Sequence, residues 1–350
     1  MKTAVLLSGG VDSSVALSIL KGKGHDLTAF YLKIWLQDEF TSLGDCPWEE
    51  DIKYATAVCK QLDVPFEVVT MQNEYWDSIV SYTIAEVKSG RTPNPDVFCN
   101  SMIKFGKFFD KIDDSFEKVA SGHYALTEKA GGNYRLKISP DPVKDQTYFL
   151  SYLKQKQLKR ALFPLGDFNK NEVRKIANSL KLANMERKDS QGICFLGQIK
   201  FKDFVKFHLG TLKGDIINAD TGKKMGIHDG FYFYTIGQRS GLGLSGGPWY
   251  VTAKDQANNI VYISDTKTEE AILKTDFEVA GINWIDYVPS NLERLRVKLR
   301  HGKQFINCTI QYLDNGNAIV KLEKGDRGIA PGQFAVFYDD KYCLGGSVIV

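Results

Sequence analysis

The sequence predicts an α/β protein: a doubly wound parallel sheet followed by small β-rich or β-barrel domains. Three observations lead there. Over the first 120 residues short apolar runs (4–7, 27–35, 66–71) alternate with stretches of helical period (15–20, 49–62, 74–88). Parallel strands buried on both faces read as continuous apolar runs, and each needs a helical crossover to reach the next. From about residue 212 the pattern changes to short strands between turn residues such as Asp220-Thr221-Gly222, Asp229-Gly230 and Asp314-Asn315-Gly316, as small barrels require. The third observation is a glycine pair, Gly9-Gly10, set between the first strand and the first helix. Glycines there let the backbone turn tightly, and the helix directs its positive end into the turn, which makes an anion site.

That turn reads Leu6-Leu7-Ser8-Gly9-Gly10-Val11-Asp12-Ser13. No Lys follows Gly10, so the Walker pattern fails, and Gly-x-Gly-x-x-Gly is absent too. What stands is Ser-Gly-Gly-x-Asp-Ser, which resembles the pyrophosphatase loop of ATP-using adenylating enzymes. Ser8, Ser13 and the loop amides can donate to a departing pyrophosphate, and Asp12 can hold Mg²⁺ beside it. The plain alternative is an ordinary glycine-rich strand–helix turn. In open parallel sheets ligands sit at the carboxyl ends of strands, so Ser8 and Leu32 are expected to face one nucleotide.

At 350 residues the chain has room for two or three domains. The expected divisions are 1–205, 206–270 and 271–350. With 43% hydrophobic and 25% charged residues it falls among soluble globular proteins. No apolar run reaches the length of a membrane helix, and the first strand begins too early to leave room for a signal peptide, so a cytoplasmic protein is expected. The net charge of +3 is unevenly spread. Residues 1–143 hold 15 Lys and Arg against 20 Asp and Glu, residues 144–210 hold 14 against 6, and the remainder 16 against 16. The basic segment from 144 to 205 fits either a solvated surface or a polyanion partner.

Six cysteines include no Cys-x-x-Cys, which argues against structural zinc. Cys59 and Cys308 fall in phase with apolar neighbours and are expected in the core; Cys46 and Cys343 have no evident role. The stretch Gly90-Arg91-Thr92-Pro93-Asn94-Pro95-Asp96-Val97-Phe98-Cys99-Asn100 is a shaped loop by its prolines. Asn100 or Ser101 is expected to cap a helix running to about 109, which would put Cys99 just before a helix N-terminus, where the dipole favours thiolate. Cys99, with Asp96 near, is a candidate nucleophile or redox thiol. Another strand, 116–121, ends at Gly122-His123-Tyr124; Gly122 can approach the nucleotide, while His123 could be a core, loop or substrate residue. A hairpin is expected over 125–138, and helices over 154–162 and 170–182. Cys194, in Asp189-Ser190-Gln191-Gly192-Ile193-Cys194-Phe195-Leu196-Gly197, is compatible with a mobile thiol and with a buried small side chain.

Together these stretches, with Lys144-Asp145-Gln146, Thr235-Ile236-Gly237-Gln238-Arg239, Pro331-Gly332-Gln333 and Cys343-Leu344-Gly345-Gly346, resemble the tRNA-specific 2-thiouridylase family over nearly the whole chain. The Cys99 loop combined with Gly-Ile-Cys194-Phe is the most specific part. The resemblance implies an adenine-nucleotide hydrolase-like first domain and a tRNA-uridine 2-sulfurtransferase. Such an enzyme adenylates the C2 oxygen of a wobble uridine with ATP and Mg²⁺, then replaces it with sulfur from a cysteine persulfide. It implies Cys194 as persulfide carrier, Cys99 as attacking thiol, a transient Cys99–Cys194 disulfide, and Asp96 as general acid/base. Leu6 to Ser13, Leu32 and Gly122 would contact ATP, and Asn94, Pro95 and Asp96 the target base. His123, Lys144, Asp145, Gln146, Arg300, His301 and Gln333 match positions that touch tRNA. A persulfide donor protein is the further partner, and a monomer is expected. A small-substrate adenylating enzyme would leave Cys99, Cys194 and the basic segment without a task. A non-catalytic RNA-binding protein would not need Ser8, Asp12 and both thiols.

Overall fold

The computed structural model describes residues 1–34, 48–189, 199–265 and 273–350. In chain order the first region supplies β1 (Lys2–Leu6), β2 (Asp26–Lys33), β3 (Phe66–Thr70), β4 (Lys118–Ala120), the hairpin β5 (Leu126–Ala130) and β6 (Asn133–Lys137), and β7 (Ala161–Leu162). A parallel sheet in the order β3-β2-β1-β4-β7 forms the first layer. The chain winds outward from β1 to β3, then returns past β1 to lay down β4 and β7. Strand order therefore reverses between β1 and β4, the crevice in which doubly wound sheets bind ligands.

Helices cover both faces because alternate residues of β1 point to opposite layers. Ala4 and Leu6 join one core cluster with Phe30, Phe108 and Phe116. Val5 and Leu7 join another, with Leu17 and Leu20 of α1 (Val11–Gly22) and Val58 and Cys59 of α2 (Trp48–Leu62). The stretch expected as one helix over 74–88 is Gln72–Tyr75, a π-helical turn Trp76–Val80, and Ser81–Lys88. The helix expected over 170–182 is α3 (Lys170–Ser179). α4 (Phe201–Leu209) buries Phe204 and Val205 in the first region's core, so the division expected at 205 falls inside a helix.

The middle region holds β8 (Gly214–Asn218), β9 (Lys224–His228), β10 (Trp249–Asp255) and β11 (Ile260–Asp265), in the order β10-β11-β8-β9 around Ile216, Val251, Val261 and Ile263. The last region holds β12 (Lys274–Trp284), β13 (Arg294–Lys298), β14 (Ile306–Tyr312), β15 (Ala318–Asp326), β16 (Phe334–Tyr338) and β17 (Tyr342–Ile349). Antiparallel pairing in the order β12-β15-β14-β13-β16-β17, closed by β12 on β17, makes a six-stranded barrel. The β5–β6 hairpin is present where expected, turning at Gly131-Gly132, but β6 pairs with β17, Leu136 opposite Cys343. The first region thus adds two strands to the barrel's sheet. Among the described residues no helix is long and apolar enough to cross a membrane.

Candidate active site

Ser8, Gly9 and Gly10 lie between β1 and α1, at the point where strand order reverses. Gly9 has φ +74, and a Cβ on it would collide with the carbonyl oxygen of Asp51, so only glycine fits. Gly10 caps α1 from an extended conformation with no side-chain bond, leaving the first-turn amides open to a ligand. Serines brace the turn. Ser13 Oγ donates to the Gly10 carbonyl at 3.0 Å and accepts from Ser8 N at 3.2 Å, while Ser8 Oγ and Ser13 Oγ are 3.2 Å apart. Leu6, Leu7 and Val11 are buried, so only their backbone can meet a nucleotide; Leu32, at the end of β2, is half-buried. Gly122 follows β4 and presses on the same turn: a Cβ there would stand 2.8 Å from Ser13 N.

Around this turn lies a charged cluster that the sequence did not disclose. Asp12 Oδ1 accepts from the Tyr124 hydroxyl at 3.0 Å and from Lys170 Nζ at 2.7 Å. Lys170 also reaches Asp189 Oδ1 at 2.7 Å, joined by Arg174 at 2.5 Å, and Lys144 holds Asp189 Oδ2 at 2.9 Å. Burial pushes the Asp189 carboxyl up, but the hydrogen bonds from Lys170 and Lys144 outweigh it and hold it well below the carboxylate range. Asn184 donates to the Gly9 carbonyl at 2.7 Å and to Ser14 Oγ at 2.9 Å. Lys170 and Arg174 are fixed by a capping box, Asn169 accepting from Glu172 N at 3.0 Å while Glu172 accepts from Asn169 N at 2.7 Å. Two cations four residues apart, with no carboxylate four residues from either on α3, were the legible sign that a partner lay elsewhere. Asp12, partly exposed beside open amides, suits Mg²⁺, which takes one or two carboxylates and fills its shell with phosphate oxygens and water.

The Cys99 segment corrects an expectation. Its helix starts not at Asn100 but at Pro95, whose fixed φ suits the first helical position. Cys99 continues that helix into a π-helical stretch, Cys99–Lys104, so it lies a full turn inside, where the end dipole has faded. It is 1% exposed, in the cluster with Val97, Ile103 and Phe105. Asn100 caps nothing: its amide donates to the carbonyls of Asp96 at 3.0 Å and Phe149 at 3.2 Å. Asp96 occupies the first turn, where negative charge is favoured. The other two regions hold the loop from outside. Thr92 N donates to the Pro331 carbonyl at 2.7 Å, and Thr92 Oγ1 meets Thr235 Oγ1 at 3.4 Å.

The segment after β4 joins the two halves of the site. Gly122 touches the turn, and the His123 ring packs 6.4 Å from Phe105 and 6.1 Å from Phe163, with Nδ1 2.7 Å from Ser121 Oγ. Burial drives the His123 pKa well below its ordinary value. Gln146 accepts from Tyr124 N at 3.0 Å. Asp145 is 1% exposed, its carboxylate taken by the buried Lys298 at 2.9 Å and by Thr147; its carbonyl oxygen lies 3.0 Å from His301 Nε2. The Asp145 side chain therefore faces the barrel and not a surface ligand. His301 stacks on Phe149 at 4.8 Å, and Arg300 grips Asp326 through both nitrogens. Gln333 enters β16 with its carbonyl accepting from Ile349 N. Cys343 is buried, as are Cys59 and Cys308, whose thiols burial pushes up to about 12. Cys46, Cys194 and the expected Cys99–Cys194 encounter lie outside the described residues.

Family models match the chain end to end: a tRNA methyl transferase HUP domain over residues 1–198, a tRNA methyl transferase PRC-barrel domain over 202–265, and an aminomethyltransferase beta-barrel domain over 274–349. The protein named tRNA-specific 2-thiouridylase MnmA of Parabacteroides distasonis is 44% identical, covering 100% of this chain and 99% of that one. MnmA 2 of Bacteroides fragilis is 44% identical over 100% of both, and MnmA of Porphyromonas gingivalis 43% identical over 100% and 99%. The chain belongs to the tRNA-specific 2-thiouridylase family. The domain descriptions speak of methyl transfer and the full-length relatives of thiolation. Gly122 and His123 link the Ser8–Ser13 turn to Phe105, at the end of the helical stretch that carries Cys99.

Proposed function

We propose that this chain is an ATP-dependent tRNA-uridine 2-sulfurtransferase, acting on the wobble uridine. The observation that carries the reading is the linkage just described. The turn at Ser8 to Ser13 and Phe105, which ends the helical stretch carrying Cys99, both meet one short segment, Ser121 to Tyr124, in a chain 44% identical to named 2-thiouridylases over its whole length. The uracil C2 oxygen is a poor leaving group, so the base must first be joined to AMP. Ser8, Ser13 and the first-turn amides of α1 would stabilise the pyrophosphate as it departs. Asp12 would hold Mg²⁺, which when bound offsets phosphate charge.

Asn94, Pro95 and Asp96 would seat the target base, which has to leave its stack to reach them. Asp96 would move the proton at the base or at the Cys99 thiol. The Cys99 thiolate attacks the inner sulfur of a Cys194 persulfide, forming the Cys99–Cys194 disulfide and releasing hydrosulfide. Hydrosulfide adds at C2 and expels AMP, and an external thiol reduces the disulfide. His123, Lys144, Gln146, Arg300, His301 and Gln333 are the candidate tRNA contacts, and a persulfide-bearing protein the donor. The three domains, the monomeric state and the cytoplasm belong to the same proposal.

Incubation with ATP, a persulfide source and bulk tRNA, followed by nucleoside analysis, should yield 2-thiouridine, AMP and pyrophosphate. Cys99→Ala should bind tRNA and form no 2-thiouridine; full thiolation by that variant would sink the disulfide scheme.

A further inference from the structure

Asp189 carries three cations on one carboxylate. Lys170 at 2.7 Å and Arg174 at 2.5 Å share Oδ1, and Lys144 at 2.9 Å takes Oδ2. The cations come from two separate segments, and Arg174 is pinned by giving its other nitrogen to the carbonyls of Met185 and Arg187 at 3.0 and 2.8 Å. Two ammonium groups and a planar guanidinium converging on oxygens is the donor set that phosphate attracts. The cluster also touches the nucleotide turn. Lys170 is shared with Asp12 in the first turn of α1, and Asn184, five residues before Asp189, holds the Gly9 carbonyl. Asp141, which accepts from the amides of Lys144 and Lys170 at 3.0 Å each, orients both lysines from behind.

We propose that Lys144, Lys170 and Arg174 form a subsite for the outer phosphates of the nucleotide, and that Asp189 fills it as an internal carboxylate until those phosphates displace it. The proposal rests on Ser8 to Ser13 being a nucleotide turn. A carboxylate brings one negative charge and a terminal phosphate about two, so three cations favour the exchange, while the competing carboxylate keeps pyrophosphate from being held after the reaction. RNA backbone phosphate has the same oxygen chemistry, and Lys144 is also a candidate tRNA contact, but the bond of Lys170 to Asp12 and of Asn184 to the Gly9 carbonyl places the cluster at the nucleotide turn.

The test is calorimetric titration of the full chain with magnesium pyrophosphate, ATP, AMP and tRNA. Asp189→Asn should bind pyrophosphate about tenfold tighter, and Lys170→Gln and Lys144→Gln about tenfold weaker, because one charge-assisted contact is freed or lost. AMP affinity should stay within about twofold throughout, since it lacks the outer phosphates. Pyrophosphate affinity unchanged or weaker in Asp189→Asn overturns the proposal, as does a loss confined to tRNA. Wild-type protein that binds neither ATP nor AMP overturns the nucleotide reading itself, and the AMP titration tells the two failures apart. Lys144 is partly exposed, so its variant and Asp189→Asn decide the matter even if Lys170→Gln does not fold.

Discussion

A methyl group at position 122 would meet backbone on the far side: Ser13 N at 2.8 Å and the Asp12 carbonyl carbon at 3.0 Å. Backbone in a helix's first turn cannot step aside as a flexible side chain can. Gly122→Ala should therefore cost about 1–3 kcal/mol of overpacking and weaken ATP binding, read by titration, with tRNA binding kept. His123 gives a pH dependence. Burial keeps its ring neutral in the folded chain, while the unfolded chain takes up a proton near pH 6.5. Below that value the unfolded state binds more protons, so stability should fall as pH drops, and the same sign holds for the buried ring of His228 and for His301, whose pKa is lowered too. Thermal melts across the acid range should show a shallower decline in His123→Gln. The buried thiols give a third expectation. Cys59, Cys308 and Cys343 should resist alkylation at neutral pH until the chain unfolds, because burial withholds both access and thiolate. That Cys59 and Cys308 are core was legible from their phase with apolar neighbours; Cys343 was not, because its burial depends on a strand from another region.

Among the elements, the helix bearing Cys99 starts at its proline, Pro95, and not at Asn100. Asn100 looked like a cap because Asn and Ser favour that role, yet Pro95 was the better sign: proline suits the first helical turn and starts the helix earlier. The shift removes the end-dipole argument for a thiolate at Cys99 and gives the first turn to Asp96. α3, by contrast, was legible from its helical pattern, and Asn169 and Glu172 box its start. The target of its cations was unreadable, since Asp189 lies in another segment and no local rule pairs them. The loop before Pro95 is positioned from the barrel. Gly332 has φ +89, and a Cβ on it would stand 2.9 Å from Arg91 Cβ and from Thr92 N. Gly332→Ala should displace the Asn94–Asp96 turn, cutting thiolation about tenfold or more through misplacement of the base, with ATP affinity unchanged.

At the scale of the molecule, Asp145 and Lys298 fasten the first region to the barrel through a fully buried pair at 2.9 Å. Removing one partner strands the other charge, so Lys298→Met should lower stability by about 3–5 kcal/mol, measured by denaturant titration. Both regions should unfold in one transition, since the pair and the β6–β17 ladder join them. The parallel sheet was legible because its strands and helices alternate in sequence. The barrel's strands were legible too, but not its closure by β12 on β17, nor the hairpin's attachment, for edge pairing leaves no local mark. That attachment sets an order of events during synthesis. The hairpin emerges from the ribosome early, and an isolated pair of strands is barely stable in water. Leu136 must wait for Cys343 to be made before its strand has a neighbour on that side. Until then the nascent enzyme carries an open strand edge, the kind of surface on which a chaperone acts or aggregation begins.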